Sequence, residues 1–317
     1  MPSTAEDRIR ALASPDHILV ATDLTDTDYL LPHAIAQARN CGARLTLVHA
    51  ITPPEVQPVE SGATAYINET KRDRDARLML MELKRQIEGH GLVCNTVCRH
   101  GFASDVIHEE LERTGAKRLI VGTHGRGKLG QMMLGSVAND LLKSVRVPVF
   151  TVGPGARSAG RQSRPQRILH PVSFTGDYIE SLHLAFDLAQ TYKAELTLLH
   201  VLPLDIIRET VNPARTFAWA EKALRSLLPD TDDPAPGIHT KVVAGDLVKE
   251  IMSTAAETEA DLIVVGMDGA LPLFHFRDST AYKVTAAAHC PVLAFHHAQP
   301  RKEAKHEEAD RFAGVIG

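Results

Sequence analysis

Short apolar runs rich in β-branched residues alternate along the chain with longer stretches whose apolar residues recur at helical spacing. In the first half the runs at 17–23, 45–50, 93–98, 118–122 and 147–152 read as strands. Between them, 28–41, 70–89, 103–115 and 136–144 read as helices. The first, second and fourth strand runs are almost wholly apolar, as parallel strands are when helices cover both faces of their sheet. This alternation predicts a doubly wound α/β domain with a mainly parallel, five-stranded sheet. Pro32 fits the first helix only within its first turn, because it lacks an N–H and its ring crowds the preceding turn.

The pattern then repeats. Ala43-Arg44-Leu45-Thr46-Leu47-Val48-His49 is answered by Ala194-Glu195-Leu196-Thr197-Leu198-Leu199-His200. Ile18-Leu19 is answered by Ile168-Leu169, and Leu119-Ile120-Val121-Gly122 by Ile263-Val264-Val265-Gly266. Val147-Pro148-Val149 is answered by Cys290-Pro291-Val292. A period of about 150 residues is too long for a solenoid unit and indicates domain duplication. The expected organisation is a domain at 1–152, a Gly/Pro/Ser/Arg linker at 153–166, a second domain at 167–298 and a charged tail at 299–317. Exposed sheet edges need covering, so the halves are expected to pack as a pseudo-dimer through their fifth strands.

A chain of 317 residues with 44% hydrophobic content has room for two such cores. The net charge of −4 offers no basic footprint for nucleic acid. No apolar run approaches the roughly 20 residues of a membrane span, and the first 17 residues lack the apolar core of a secretory signal. Four scattered cysteines do not form a disulfide framework. The expectation is a cytoplasmic protein with no nucleic-acid or membrane partner.

The informative chemistry lies after the fourth strand, in a glycine-rich segment running from Gly122 to a helix beginning near Ser136. Glycines let the backbone approach an anion, and a helix N-terminus supplies unpaired N–H groups and a positive dipole end. Ser136 can cap that helix or donate its hydroxyl to phosphate. Gly125, Gly127 and Gly130 fit a dinucleotide-binding GxGxxG only out of context, since that motif follows the first strand of its unit. Gly122, Gly127 and Lys128 approximate a P-loop, but Leu129 stands where a magnesium-binding hydroxyl is needed. The pattern G-x2-G-x9-G-S/T is met in full by Gly122, Gly125, Gly135 and Ser136.

With that pattern, the opening Ile18-Leu19-Val20-Ala21-Thr22-Asp23, the Leu47-Val48-His49-Ala50 strand end and the final Val147-Pro148-Val149, the chain resembles the ATP-binding branch of the universal stress protein family, whose fold is adenine nucleotide alpha hydrolase-like. The resemblance covers both halves. It implies that Thr22 and Asp23 close strand 1 against the nucleoside and that the backbone at Ala50 recognises adenine. It implies a triphosphate cradle made of Gly122, Thr123, His124, Gly125, Arg126, Gly135, Ser136 and Val137. Taken alone, Asp23 reads as a turn or helix-capping acid. The ligand implied is ATP with magnesium, and no structural metal is expected.

The second half departs from this pattern. Ser173 stands at the Asp23 position, Val201 at Ala50, and Ser279-Thr280 at Gly135-Ser136, while Gly266 and Gly269 are retained. Asp268 adds a carboxylate where phosphates would sit, and like charges ~4 Å apart repel by about 4 kcal/mol at an effective dielectric near 20. A degenerate second site is expected. Cys94 and Cys98, four apart on a strand, lie ~13 Å apart and cannot chelate one ion, so they read as ordinary thiols. His49 and His200 recur in both halves and read as packing residues. No nucleophile–base–orienter set is visible, nor a carboxylate pair tied to the glycine loop, so slow ATP hydrolysis is the most enzymatic activity expected. The leading expectation is a nucleotide-held switch in stress response or signalling, acting on an unidentified protein partner and open to homodimerisation. The alternatives are a nucleotide-independent adaptor and a weak ATPase.

Overall fold

Twenty elements alternate along the chain in the computed structural model, which describes residues 5–52, 62–123, 134–156, 164–174, 178–228, 237–267 and 279–297. The first half comprises α1 (Ala5–Ala13), β1 (His17–Ala21), α2 (Thr27–Cys41), β2 (Arg44–Ile51), α3 (Gly62–Gly89), β3 (Cys94–His100), α4 (Ala103–Thr114), β4 (Arg118–Gly122), α5 (Ser136–Ser144) and β5 (Val149–Val152). The second comprises β6 (Arg167–Pro171), α6 (Ile179–Tyr192), β7 (Glu195–Leu202), α7 (Leu204–Glu209), α8 (Pro213–Arg225), β8 (Ile238–Ala244), α9 (Leu247–Glu257), β9 (Leu262–Met267), α10 (Thr280–Ala287) and β10 (Val292–His296). The 299–317 tail and residues 157–163 of the linker lie outside the described residues.

The strands form a single sheet of ten, in the order β3-β2-β1-β4-β5-β10-β9-β6-β7-β8. Pairing is parallel throughout except where β5 meets β10 antiparallel, with Phe150 opposite Leu293. Composition explains this seam. Every residue of β5 and β10 is buried, and neither strand carries a Lys, Asp or Glu to blunt an open edge. The outer strands β3 and β8 are half-exposed and carry Arg99, His100, His239 and Lys241 instead. Two apolar layers, one on each face, then run through both halves.

Local sequence explains most boundaries. Gly42 and Gly115, both left-handed, stop α2 and α4. Pro32 is a correction: it sits inside α2, beyond the first turn. Its missing N–H would have served the carbonyl of Asp28, an exposed residue that water can reach, which limits the cost. Strand β1 ends at Ala21 rather than Asp23, because Thr22 and Asp23 turn the chain toward α2.

The N-terminal segment folds into a helix that binds the two halves together. Ile9, Leu12 and Ala13 of α1 are buried, and Arg8 reaches Glu180 at 2.9 Å while lying 5.6 Å from the Phe295 ring centroid. Beneath α1, the fully buried Arg118 donates to Gln37 Oε1 at 2.5 Å and to the carbonyls of Leu12 at 2.7 Å and Ala13 at 3.2 Å. The Tyr192 hydroxyl, from α6, donates to the same Gln37 oxygen at 3.1 Å. A buried guanidinium needs such acceptors; both terminal nitrogens find them, while Nε has none among the described residues. His296 adds a further tie, its Nε2–H donating to the Leu142 carbonyl of α5 at 2.7 Å.

Candidate functional site

A cavity of about 440 Å³ opens at the C-terminal ends of β1, β2 and β4, with α4 on one side and the start of α5 on the other. In the first half the strand order reverses at β1, so this is the topological switch point where open α/β sheets bind ligands. The volume lies in the range of roughly 300–1,000 Å³ usual for small-molecule sites.

Seven of the residues expected at the site line this cavity: Thr22, Asp23, Ala50, Gly122, Gly135, Ser136 and Val137. Thr123 lies behind it, buried, with its N–H on the Val152 carbonyl and its carbonyl receiving the Gly135 N–H, both at 2.8 Å. The second bond ties the two stems of the glycine segment together, and the first fixes its start on β5. His124, Gly125 and Arg126 lie outside the described residues.

The loop carrying Asp23 is tightly determined. Asp23 Oδ1 accepts from the Thr25 N–H at 2.8 Å and the Thr25 hydroxyl at 2.6 Å, a turn acid's pattern. Leu24 takes a left-handed φ of 69°, a strained conformation for a branched residue, and its N–H donates to Thr22 Oγ1 at 2.9 Å. His49 braces the loop from β2, its Nδ1–H donating to the Thr22 carbonyl at 2.9 Å. His200 makes the same bond to the Val172 carbonyl, also at 2.9 Å, in the second half. Both rings therefore hold the chain where it leaves the first strand of each half.

Asp26 was not legible as a site residue, yet it lines the cavity and is only 5% exposed. It accepts from Thr22 Oγ1 at 2.5 Å. Burial, with the neighbouring Asp23 charge, pushes its carboxyl up to about 6 against the pull of the Thr22 hydrogen bond. Asp26 stands against Gly122 at the start of the glycine segment, with Asp23 beside it on the cavity wall. Asp26 also accounts for the first glycine of the motif. A Cβ at Gly122 would lie 2.6 Å from Asp26 Oδ2 and 3.1 Å from the Tyr29 hydroxyl. The Asp26 carboxyl is by itself enough to demand a glycine at 122. The only sequence hint was the acid-rich Asp23-Leu24-Thr25-Asp26 turn.

The start of α5 differs from the sequence expectation in one respect. Gly135, not Ser136, is the N-cap, and among the described residues no cap side chain bonds the helix N-terminus. Its first N–H groups are left to other partners. In the second half the equivalent cap is Ser279, in nearly the same backbone conformation, and its hydroxyl accepts from the Tyr282 N–H at 3.2 Å. That helix satisfies its own N-terminus.

Other equivalent positions in the second half are filled. Tyr282, buried, replaces Ala138, and Val201, also buried, replaces Ala50. Phe174, beside the exposed Ser173, packs on His200 with ring centroids 4.2 Å apart. A Cβ at Gly266 would collide with the His297 ring and lie 2.9 Å from Ser181 Oγ, so this glycine too is explained by side-chain packing. Thr280 opens α10; Gly269 and Asp268 lie outside the described residues.

Comparison with known proteins agrees with this architecture. The model of the universal stress protein family matches residues 15–153 and again 165–296. Universal stress protein MJ0531 of Methanocaldococcus jannaschii is 27% identical over 137 residues, which is 43% of this chain and 80% of that protein. MJ0577 of the same organism is 24% identical over 150 residues, 43% of this chain and 93% of its own length. The solved universal stress protein of Archaeoglobus fulgidus superposes with a TM-score of 0.67 at 18% identity, covering 89% of this chain and 99% of its own. Two tandem matches spanning most of the sequence, on a mostly parallel α/β sheet, establish that the chain belongs to the universal stress protein family.

Proposed function

We propose that the first half binds one ATP and that occupancy of this site sets the conformation or partner affinity of a stress-response protein. The observation that carries this reading is the uncapped N-terminus of α5 at the mouth of the cavity, set against the self-capped α10. Unpaired N–H groups and a helix dipole favour an anion at that point. The nucleoside would lie toward Asp23 and Ala50, as the family resemblance implies. Magnesium would arrive on the phosphates, since no group of three metal-binding side chains is present among the described residues.

The second half serves as a scaffold in this reading, joined to the first as a pseudo-dimer through β5 and β10. Among the described residues no helix is long and apolar enough to cross a membrane, and we place the protein in the cytoplasm. Pairing of whole tandem chains and docking of a protein partner complete the proposal. Titration calorimetry tests it: about one ATP per chain, with adenine preferred over guanine. Absence of heat at millimolar ATP would refute it.

A further inference from the structure

The position of Asp26 bears on how the site responds to its surroundings. Its carboxyl stands at the end of β4, one oxygen held by Thr22 Oγ1 and the other against the Gly122 backbone. The ionisable groups facing it are Asp23 from its own loop, the Tyr29 phenol from α2 and, behind the Thr22 carbonyl, His49 from β2. The Tyr29 phenol is itself held protonated by burial and by the two aspartates. The charge acting on Asp26 among the described residues is therefore another acid, not a cation.

An anion entering the same cavity adds negative charge and displaces water. Both changes favour the neutral form of a buried carboxyl. We propose that nucleotide binding in the first half is proton-linked: Asp26 takes up a proton from solvent as a triphosphate enters, so affinity rises as pH falls. This rests on the nucleotide reading above. The free carboxyl, at about 6, is already partly ionised near neutrality, and binding moves it higher. Affinity is then greatest below the free-site value and declines as pH rises through it, by no more than about tenfold per pH unit.

The experiment is calorimetric titration of MgATP into the full chain from about pH 6 to about pH 8, in buffers of different ionisation enthalpy, for the native protein and Asp26→Asn. The native protein should lose about tenfold in affinity across this range and take up a fraction of a proton near neutrality. Asp26→Asn, a neutral stand-in for the acid, should bind as tightly as the native protein at low pH and stay flat. Subtracting its profile removes the nucleotide's own titration. Identical pH profiles, or equal proton uptake, overturn the linkage while leaving ATP binding intact. Absence of MgATP binding at every pH overturns the nucleotide reading and the linkage with it. Should Asp26→Asn fold poorly, the native proton count decides: no uptake overturns the linkage.

Discussion

Gly135→Ser transplants into the first half the residue found at the equivalent cap of the second. The backbone permits it: Gly135 has φ −57° and ψ 151°, and Ser279 has φ −64° and ψ 145°. A serine there should accept from the Ala138 N–H as Ser279 accepts from Tyr282, stabilising the nucleotide-free protein by a few tenths of a kcal/mol. The same bond takes a donor away from the phosphates. A hydrogen bond to a charged group contributes about 1.5–3 kcal/mol, so ATP affinity should fall roughly ten- to 150-fold. The two effects have opposite signs, which makes the prediction sharp. Thermal unfolding without nucleotide and calorimetric titration with it read them separately. Gly135→Ala is the control, adding a Cβ without an acceptor, and should bind more tightly than Gly135→Ser. A serine variant that gains stability yet binds ATP within about twofold of the native protein would refute the assignment of α5 as the phosphate site.

Two further outcomes concern the scaffold. Arg118→Leu leaves the Leu12 carbonyl without its Arg118 donor, Gln37 with only the Tyr192 hydroxyl and the Ala13 carbonyl with only the Cys41 thiol, and should cost about 3 kcal/mol or more by denaturant midpoint; a loss below about 1 kcal/mol would show the network to be dispensable. Burial lowers the His170 ring from 6.5 to about 4, so its neutral form contributes stability fully above the unfolded value, lost as pH falls toward the folded one. His170→Val, matching Val20 of the first half, should remove ~3 kcal/mol of that acid-side loss, leaving the smaller contributions of His17, His200 and His296; an unchanged acid limb in a pH series of unfolding curves would refute it.

What could be read in advance tracks how local each cause is. Continuous apolar runs announce β1, β2 and β4 because the residues that make a strand buried lie next to one another. The helical segments at 103–115 and 136–144 match α4 and α5 nearly to the residue. Helix α1 stayed hidden because Ile9, Leu12 and Ala13 are too few to show a period, and their partner α6 begins at residue 179. Asp26 stayed hidden because an aspartate before a helix is ordinarily a cap. Its importance comes from Gly122, 96 positions away, whose missing Cβ admits it.

The duplication, the strand–helix alternation and the glycine-rich segment after the fourth strand of the first half were all legible in the sequence. These follow from side-chain period and backbone freedom, which act over a few residues. The sequence pointed to the fifth strands as the meeting edges, but the antiparallel pairing that makes one sheet of ten came from the three-dimensional fold, where β5 and β10 lack Lys, Asp and Glu and bury each other. That fold also decided that Arg118 is solvated by α1 rather than by water, and that α5 leaves its N-terminus open while α10 closes its own. Those outcomes depend on contacts between residues far apart in the chain, whose energies exist only once the sheet has brought them together.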